Sequence, residues 1–161
     1  MGGGGGGSRS IGNIRSLVEK AKEELRKGDD AGKKNVFISF AYEDFDEVNL
    51  LRGQAKNEKS PLEFNDWSVP EAFDSDRAEY IKKKIGDRIN QSSLTVVYLS
   101  NQTPKSQWVD WEIEESFRRG KTVIGVHKGD TRPSKLPEAI KKHNIKIVPW
   151  SKLSDVITNI E

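Results

Sequence analysis

The chain has 161 residues, enough for one domain with a real core and too few for two of ordinary size. Its 27 basic and 25 acidic side chains are interspersed and leave a net charge of +2, so no basic block argues for nucleic acid. With no cysteine and two histidines, it is excluded from disulfide staples, thiolate metal sites and a cysteine nucleophile, and a histidine-rich metal site is not expected.

In chain order, Gly2 to Gly7 is a flexible tract without core residues, and residues 1–9 are read as a tail. Ser10 opens an amphipathic helix to about Lys27, with Ile11, Ile14, Val18, Ala21 and Leu25 three and four apart. Its other face mixes Lys, Arg and Glu, so it is expected to lie on its own domain or on another copy rather than on a membrane surface. Gly28, Asp29, Asp30 and Gly32 make a linker, which sets 10–34 apart from a domain over 35–161.

From Asn35 onward strands and helices alternate. N-V-F-I-S-F (35–40) is a buried strand, and Asp44 to about Lys56 forms a helix with Val48, Leu50 and Leu51 inward. L-E-F-N (62–65) is a second strand, and 66–75 is a loop with turn chemistry at Asp66, Ser68 and Pro70. Asp76 to Asn90 is a helix with Tyr80, Ile81, Ile85 and Ile89 inward. L-T-V-V-Y-L-S (94–100) is the most apolar strand and is expected at the centre. A helix follows, capped by Thr103 with Pro104 or by Ser106 and ended by Gly120, then T-V-I-G-V (122–126) as a fourth strand. Pro137 starts a short helix, I-K-I-V (145–148) is a fifth strand, and Ser151 caps a last helix through Ile160. Five strands alternating with helices predict a flavodoxin-like, three-layer α/β fold, a parallel sheet in the order 2-1-3-4-5 with helices on both faces. No run of about 18 apolar residues and no apolar leader is present, so a cytoplasmic protein is expected.

Three ligand classes use such a sheet. After the first strand the chain reads F-A-Y-E-D, bulky and acidic where a flavodoxin cradles phosphate. A phosphoacceptor receiver needs an aspartate ending strand three, where this chain has Leu99, Ser100 and Asn101. The dinucleotide fingerprint of spaced glycines is missing as well.

What remains at the carboxyl ends of the first three strands is Phe40, Ala41, Tyr42, Asp44, Asn65, Asp66, Ser68 and Asn101, with Trp108 and Glu112 on the following helix. In that helix Val109, Ile113 and Phe117 form the apolar stripe. Trp108 and Glu112, four apart, overlie each other just off its edge, so Glu112 is expected to be neither core nor fully solvated. Aromatic faces with one carboxylate suit a ribose nucleotide, and a negative charge there opposes the cation formed when an N-glycosidic bond breaks. The plain readings stand alongside. A glutamate on a helix is ordinarily solvated, and Trp67, Trp108 and Trp111 are packing residues as readily as ligand platforms. Glu43, Asp44 and Asp46 are most simply first-turn acids that favour the helix dipole.

Taken together, F-I-S-F-A-Y-E-D (37–44), F-N-D-W-S (64–68), L-S-N-Q-T (99–103), W-V-D-W-E-I (108–113) and K-T-V-I-G-V-H (121–127) resemble the TIR-like domains of the Thoeris ThsB family, a branch of the Toll/interleukin-receptor superfamily. The resemblance covers residues 35 to about 150. It implies an enzyme for which NAD⁺ is substrate, with no separate cofactor and no metal. The Trp-x-x-x-Glu match in register makes Glu112 the catalytic residue, Glu114 and Glu115 being out of phase. Phe40, Ala41 and Tyr42 would border the nicotinamide ribose, and the loop with Asp66 and Ser68 would gate the cleft. The implied product is an ADP-ribose-derived signal, cyclic or conjugated, made on sensing a phage component and activating a separate effector, with self-assembly of the enzyme. A non-catalytic TIR-type interaction module is the alternative, assembling through loop 66–75 and the N-terminal helix.

Overall fold

A computed structural model describes residues 17–18, 34–57, 62–65 and 72–159. Of the N-terminal helix only Leu17 and Val18 are described, both helical and exposed; the rest of that expectation, with the glycine tract and the linker, lies outside the described residues. The sheet and the helices around it lie in the unit Lys34–Glu161.

Within it, β1 (Lys34–Ser39) leads through a 3-10 turn (Tyr42–Asp44) into α1 (Phe45–Asn57), and β2 (Leu62–Asn65) follows. Then come α2 (Ala78–Gln91), β3 (Leu94–Leu99), a 3-10 turn (Thr103–Lys105) and α3 (Gln107–Arg118). The chain ends with β4 (Thr122–His127), α4 (Glu138–Lys142), β5 (Lys146–Pro149), a 3-10 turn (Trp150–Lys152) and α5 (Leu153–Thr158). The strands form one sheet of five in the order β2-β1-β3-β4-β5, every pair parallel. This is the expected doubly wound arrangement. All six residues of β3, the middle strand, are buried, as parallel sheets covered on both faces require.

Strand alternation divides the core. Val36 and Ile38 of β1 and Leu94, Val96 and Tyr98 of β3 pack with Val48 and Leu51 of α1 and Leu153 and Ile157 of α5. On the other face Phe37 meets Ile81, Ile85 and Ile89 of α2. There too Val97 and Leu99 meet Val109 and Ile113 of α3 and Ala139 and Ile140 of α4. The strand order reverses between β1 and β3, and the carboxyl ends of these two strands flank the crevice where such sheets place ligands.

Several local expectations are corrected. Leu50 is 69% and Tyr80 is 53% exposed. Each neighbours a true core position, Leu51 or Ile81, and a step of about 100° swings it off the inward stripe. Tyr80 instead lies under Arg77 and Lys84, whose cationic groups are 5.9 and 5.4 Å from its ring centre. Ser151 falls inside the 3-10 turn before α5 and makes no cap; Lys152 takes the N-cap position without a side-chain bond. Of the two cap candidates for α3 it is Ser106 that serves, its Oγ accepting from Val109 N at 3.2 Å. Beyond α3 the chain turns at Gly120 with φ +74°, a left-handed conformation that glycine adopts without strain.

Candidate active site

The inward surface of α3 is not purely apolar. Alongside Val109 and Ile113, which enter the core, Glu112 and Ser116 also turn toward the sheet. Glu112 is only 3% exposed, more deeply covered than its place at the stripe's edge suggests. A partner lies far off in sequence: Ser39, the last residue of β1, donates its hydroxyl to Glu112 Oε1 at 2.5 Å. That distance is in the range of a charge-assisted bond, and such a bond offsets part of the desolvation of a buried carboxyl group.

Trp108, one turn earlier, is 8% exposed. The edge of Phe73 meets it at 4.9 Å between ring centres, and Trp111 meets it nearly at right angles at 6.1 Å. Trp108 therefore belongs to the core under α2, and its ring helps to dry the environment one turn from Glu112.

The other predicted site residues are placed as follows. Phe40 is buried in the core on the α1 side of the sheet, its ring centre 6.4 Å from that of Phe45. Ala41 is fully buried, and Tyr42 is 52% exposed at the start of the 3-10 turn. Asn101 is exposed at the rim of a cavity of about 250 Å³ shared with Glu47, Tyr98, Ser100, His127 and Lys128, a set that includes neither Glu112 nor Trp108. Asp66 and Ser68 lie outside the described residues. The structure thus brings Trp108 and Glu112 together with the end of β1 and places Asn101 at the end of β3, on a cavity that neither of them lines.

A second carboxyl group lies at the same crevice. Asp44 is not a solvated first-turn acid; it is buried and accepts the Ser100 hydroxyl at 2.5 Å. Burial raises its pKa above the ordinary aspartate value, with the Ser100 bond opposing and Glu47 and Glu43 adding to the rise. Ser100 Oγ also accepts from Gln102 N at 3.0 Å, and Thr103 Oγ1 accepts from Ser100 N at 2.8 Å. Nearby, Tyr98 donates its hydroxyl to Glu47. Ser39, Ser100 and Tyr98 are not among the site candidates that the sequence offers. The available signal was a polar residue inside, or at the end of, an otherwise apolar parallel strand.

Among the described residues no group of histidine and carboxylate side chains is arranged to hold a metal ion, and no helix is long and apolar enough to cross a membrane.

Comparison with known proteins gives the chain's family and fold. Over 98 residues the chain is 33% identical to the Bacillus cereus (strain MSX-D12) protein named "Putative cyclic ADP-D-ribose synthase ThsB1", a match covering 58% of this chain and 51% of that one. The chain thus spans about half the length of the curated relative it matches. Its fold is similar to that of the TIR domain of the Toll-related receptor TRR-2 from Hydra magnipapillata, with a TM-score of 0.55 and 20% identity over 79% of this chain and all of the other. The family model for the TIR-like domain of the Thoeris protein ThsB matches residues 37–133, which run from the second half of β1 through all of α3 and β4. With more than half of the chain inside that match, including Trp108, Glu112 and the end of β1, the chain belongs to the ThsB family of TIR-like domains.

Proposed function

We propose that this chain cleaves NAD⁺ at the nicotinamide N-glycosidic bond, with Glu112 as the catalytic residue. The observation that carries this reading is a mid-helix carboxyl group, 3% exposed and held by a hydroxyl, beside the crevice where the strand order reverses. Family membership, and the activity in the name of the Bacillus cereus relative, point the same way.

In this reading the C1′–N bond breaks with its electron pair going to the pyridinium nitrogen, so nicotinamide leaves neutral and the ribose becomes an oxocarbenium-like cation. Glu112 accepts hydrogen bonds from the ribose diol, and its charge opposes the developing cation in a poorly solvated setting where that interaction is strong. Water, or a nucleophile within the same ADP-ribose, then adds at C1′ and releases a proton. The first gives ADP-ribose; the second gives a cyclic signal, which would activate a separate effector after a phage component is sensed. Phe40, Ala41, Tyr42, Asp66, Ser68, Asn101 and Trp108 are proposed to complete the cleft. The enzyme is taken to be cytoplasmic and to self-assemble.

The test is mass spectrometry of NAD⁺ products in cells carrying the full chain under phage infection, wild type against Glu112→Gln. Nicotinamide and an ADP-ribose derivative should accumulate only in the wild type. If both chains protect and NAD⁺ stays intact, the reading fails in favour of a non-catalytic interaction module.

A further inference from the structure

We infer that Ser39 is a positioning residue for Glu112, and that Thr95 and Ser116 anchor the same turn of α3 from the neighbouring strand. This rests on the reading of Glu112 as catalytic. A glutamate carboxyl group turns easily about its last torsion, so its position on a helix does not by itself fix where its oxygens point. The Ser39 hydroxyl holds Oε1 at 2.5 Å from the end of β1.

The backbone of the same residue is fastened separately. Ser116 Oγ donates to the Glu112 carbonyl at 2.7 Å and lies 2.8 Å from Thr95 Oγ1. The single hydroxyl hydrogen of Ser116 is committed to that carbonyl, so Thr95 is the donor in the second bond. Thr95 pairs with Phe37, and Val97 with Ser39, in the parallel register of β1 and β3. Side chains two apart share a face, so Thr95 and Ser39 are diagonal neighbours on the two strands that flank the crevice. One turn of α3 is therefore tied to both strands at the reversal of strand order, by its side chain to β1 and by its carbonyl, through Ser116, to β3. All of these hydroxyls are buried, where water cannot replace them.

A hydroxyl needed only for packing and one that orients a reacting carboxylate give different results when removed. Ser39→Ala in the full chain should lower kcat for nicotinamide release about tenfold with KM little changed, since a hydrogen bond to a charged group is lost. The acid limb of the pH–rate profile should move to higher pH, because the carboxylate loses a bond that favours its charged form. Ser39→Thr should restore most of the rate. Thr95→Val, nearly isosteric and one bond further away, should have a smaller effect on kcat and leave the acid limb in place. If Ser39→Ala does not fold, Ser39→Cys, which fills the site with a slightly larger but weakly donating group, serves the same comparison.

Carbon-13 NMR titration of the Glu112 carboxyl group in the resting chain reads the same bond without turnover, and its midpoint should rise in Ser39→Ala. An unmoved midpoint, or an unchanged rate in Ser39→Ala alongside a dead Glu112→Gln, overturns the positioning role and leaves the proposed function standing. Full nicotinamide release by Glu112→Gln overturns both.

Discussion

Two carboxyl groups flank the reversal of strand order, and each accepts a serine hydroxyl at 2.5 Å: Glu112 from Ser39 and Asp44 from Ser100. The bonds are alike and their settings are not. Asp44 sits in a 3-10 turn that closes on itself, its N–H donating to Ala41 O at 2.8 Å, and its partner belongs to a loop whose polar groups are satisfied by Gln102 and Thr103. That bond ties one loop to another. Glu112 projects from the middle of a 12-residue helix that packs on the sheet, with an indole one turn away and a strand end as its partner. A group held by packed elements keeps its geometry better than one held by loops, and this supports proposing Glu112 rather than Asp44 as the reacting carboxylate.

Substitution can break that comparison. Glu112→Gln should reduce nicotinamide release by about a hundredfold or more, the scale of losing an aimed electrostatic stabiliser. Asp44→Asn should leave the rate within about threefold, because a side-chain amide still accepts from Ser100. Equal losses in the two variants, measured on purified chains with NAD⁺, would erase the distinction drawn between them.

The next effect in size concerns the wall beside Glu112. Trp108→Ala removes a buried indole from contact with Phe73 and Trp111 and should lower unfolding free energy by about 3–5 kcal/mol in denaturant titration. Trp108→Phe should recover much of it.

Acid titration separates the carboxyl groups by sign. Folded Asp44 keeps its proton to higher pH than the unfolded chain does, so between the two values the folded state binds more protons and stability falls as pH rises. Asp44→Asn should flatten that decline just above the ordinary aspartate range. Glu115 behaves in the opposite way. Burial pulls its pKa up, but hydrogen bonds from Arg118 and Arg119 outweigh burial and hold it below the ordinary value of 4.5. Its contribution is present above that value and is lost as pH falls through the depressed one. Denaturant midpoints of Glu115→Gln should therefore lose part of the wild type's acid sensitivity while those of Asp44→Asn gain it.

The smallest effect is expected on the Asp44 side of the crevice. Tyr98→Phe removes the hydroxyl given to Glu47 and should cost about 1 kcal/mol, with nicotinamide release unchanged. A large loss of activity there would move the catalytic centre toward the cavity that Tyr98, His127 and Lys128 line.

Much of this molecule could be read before its coordinates. Alternating apolar runs and helical stripes set the number, kind and order of the elements from Lys34 to Thr158, because each needs only a period of 2 or 3.6 and a turn signal at its ends. The four-residue spacing of Trp108 and Glu112 put both on one side of α3 for the same reason. Periodicity gives a direction around a helix axis and says nothing about what stands there. Tertiary structure alone buried Asp44 under Ser100 and closed Ser39 over Glu112. These two bonds join residues 56 and 73 positions apart. Their existence depends on strands β1 and β3 becoming neighbours, a pairing that no local pattern in either segment encodes.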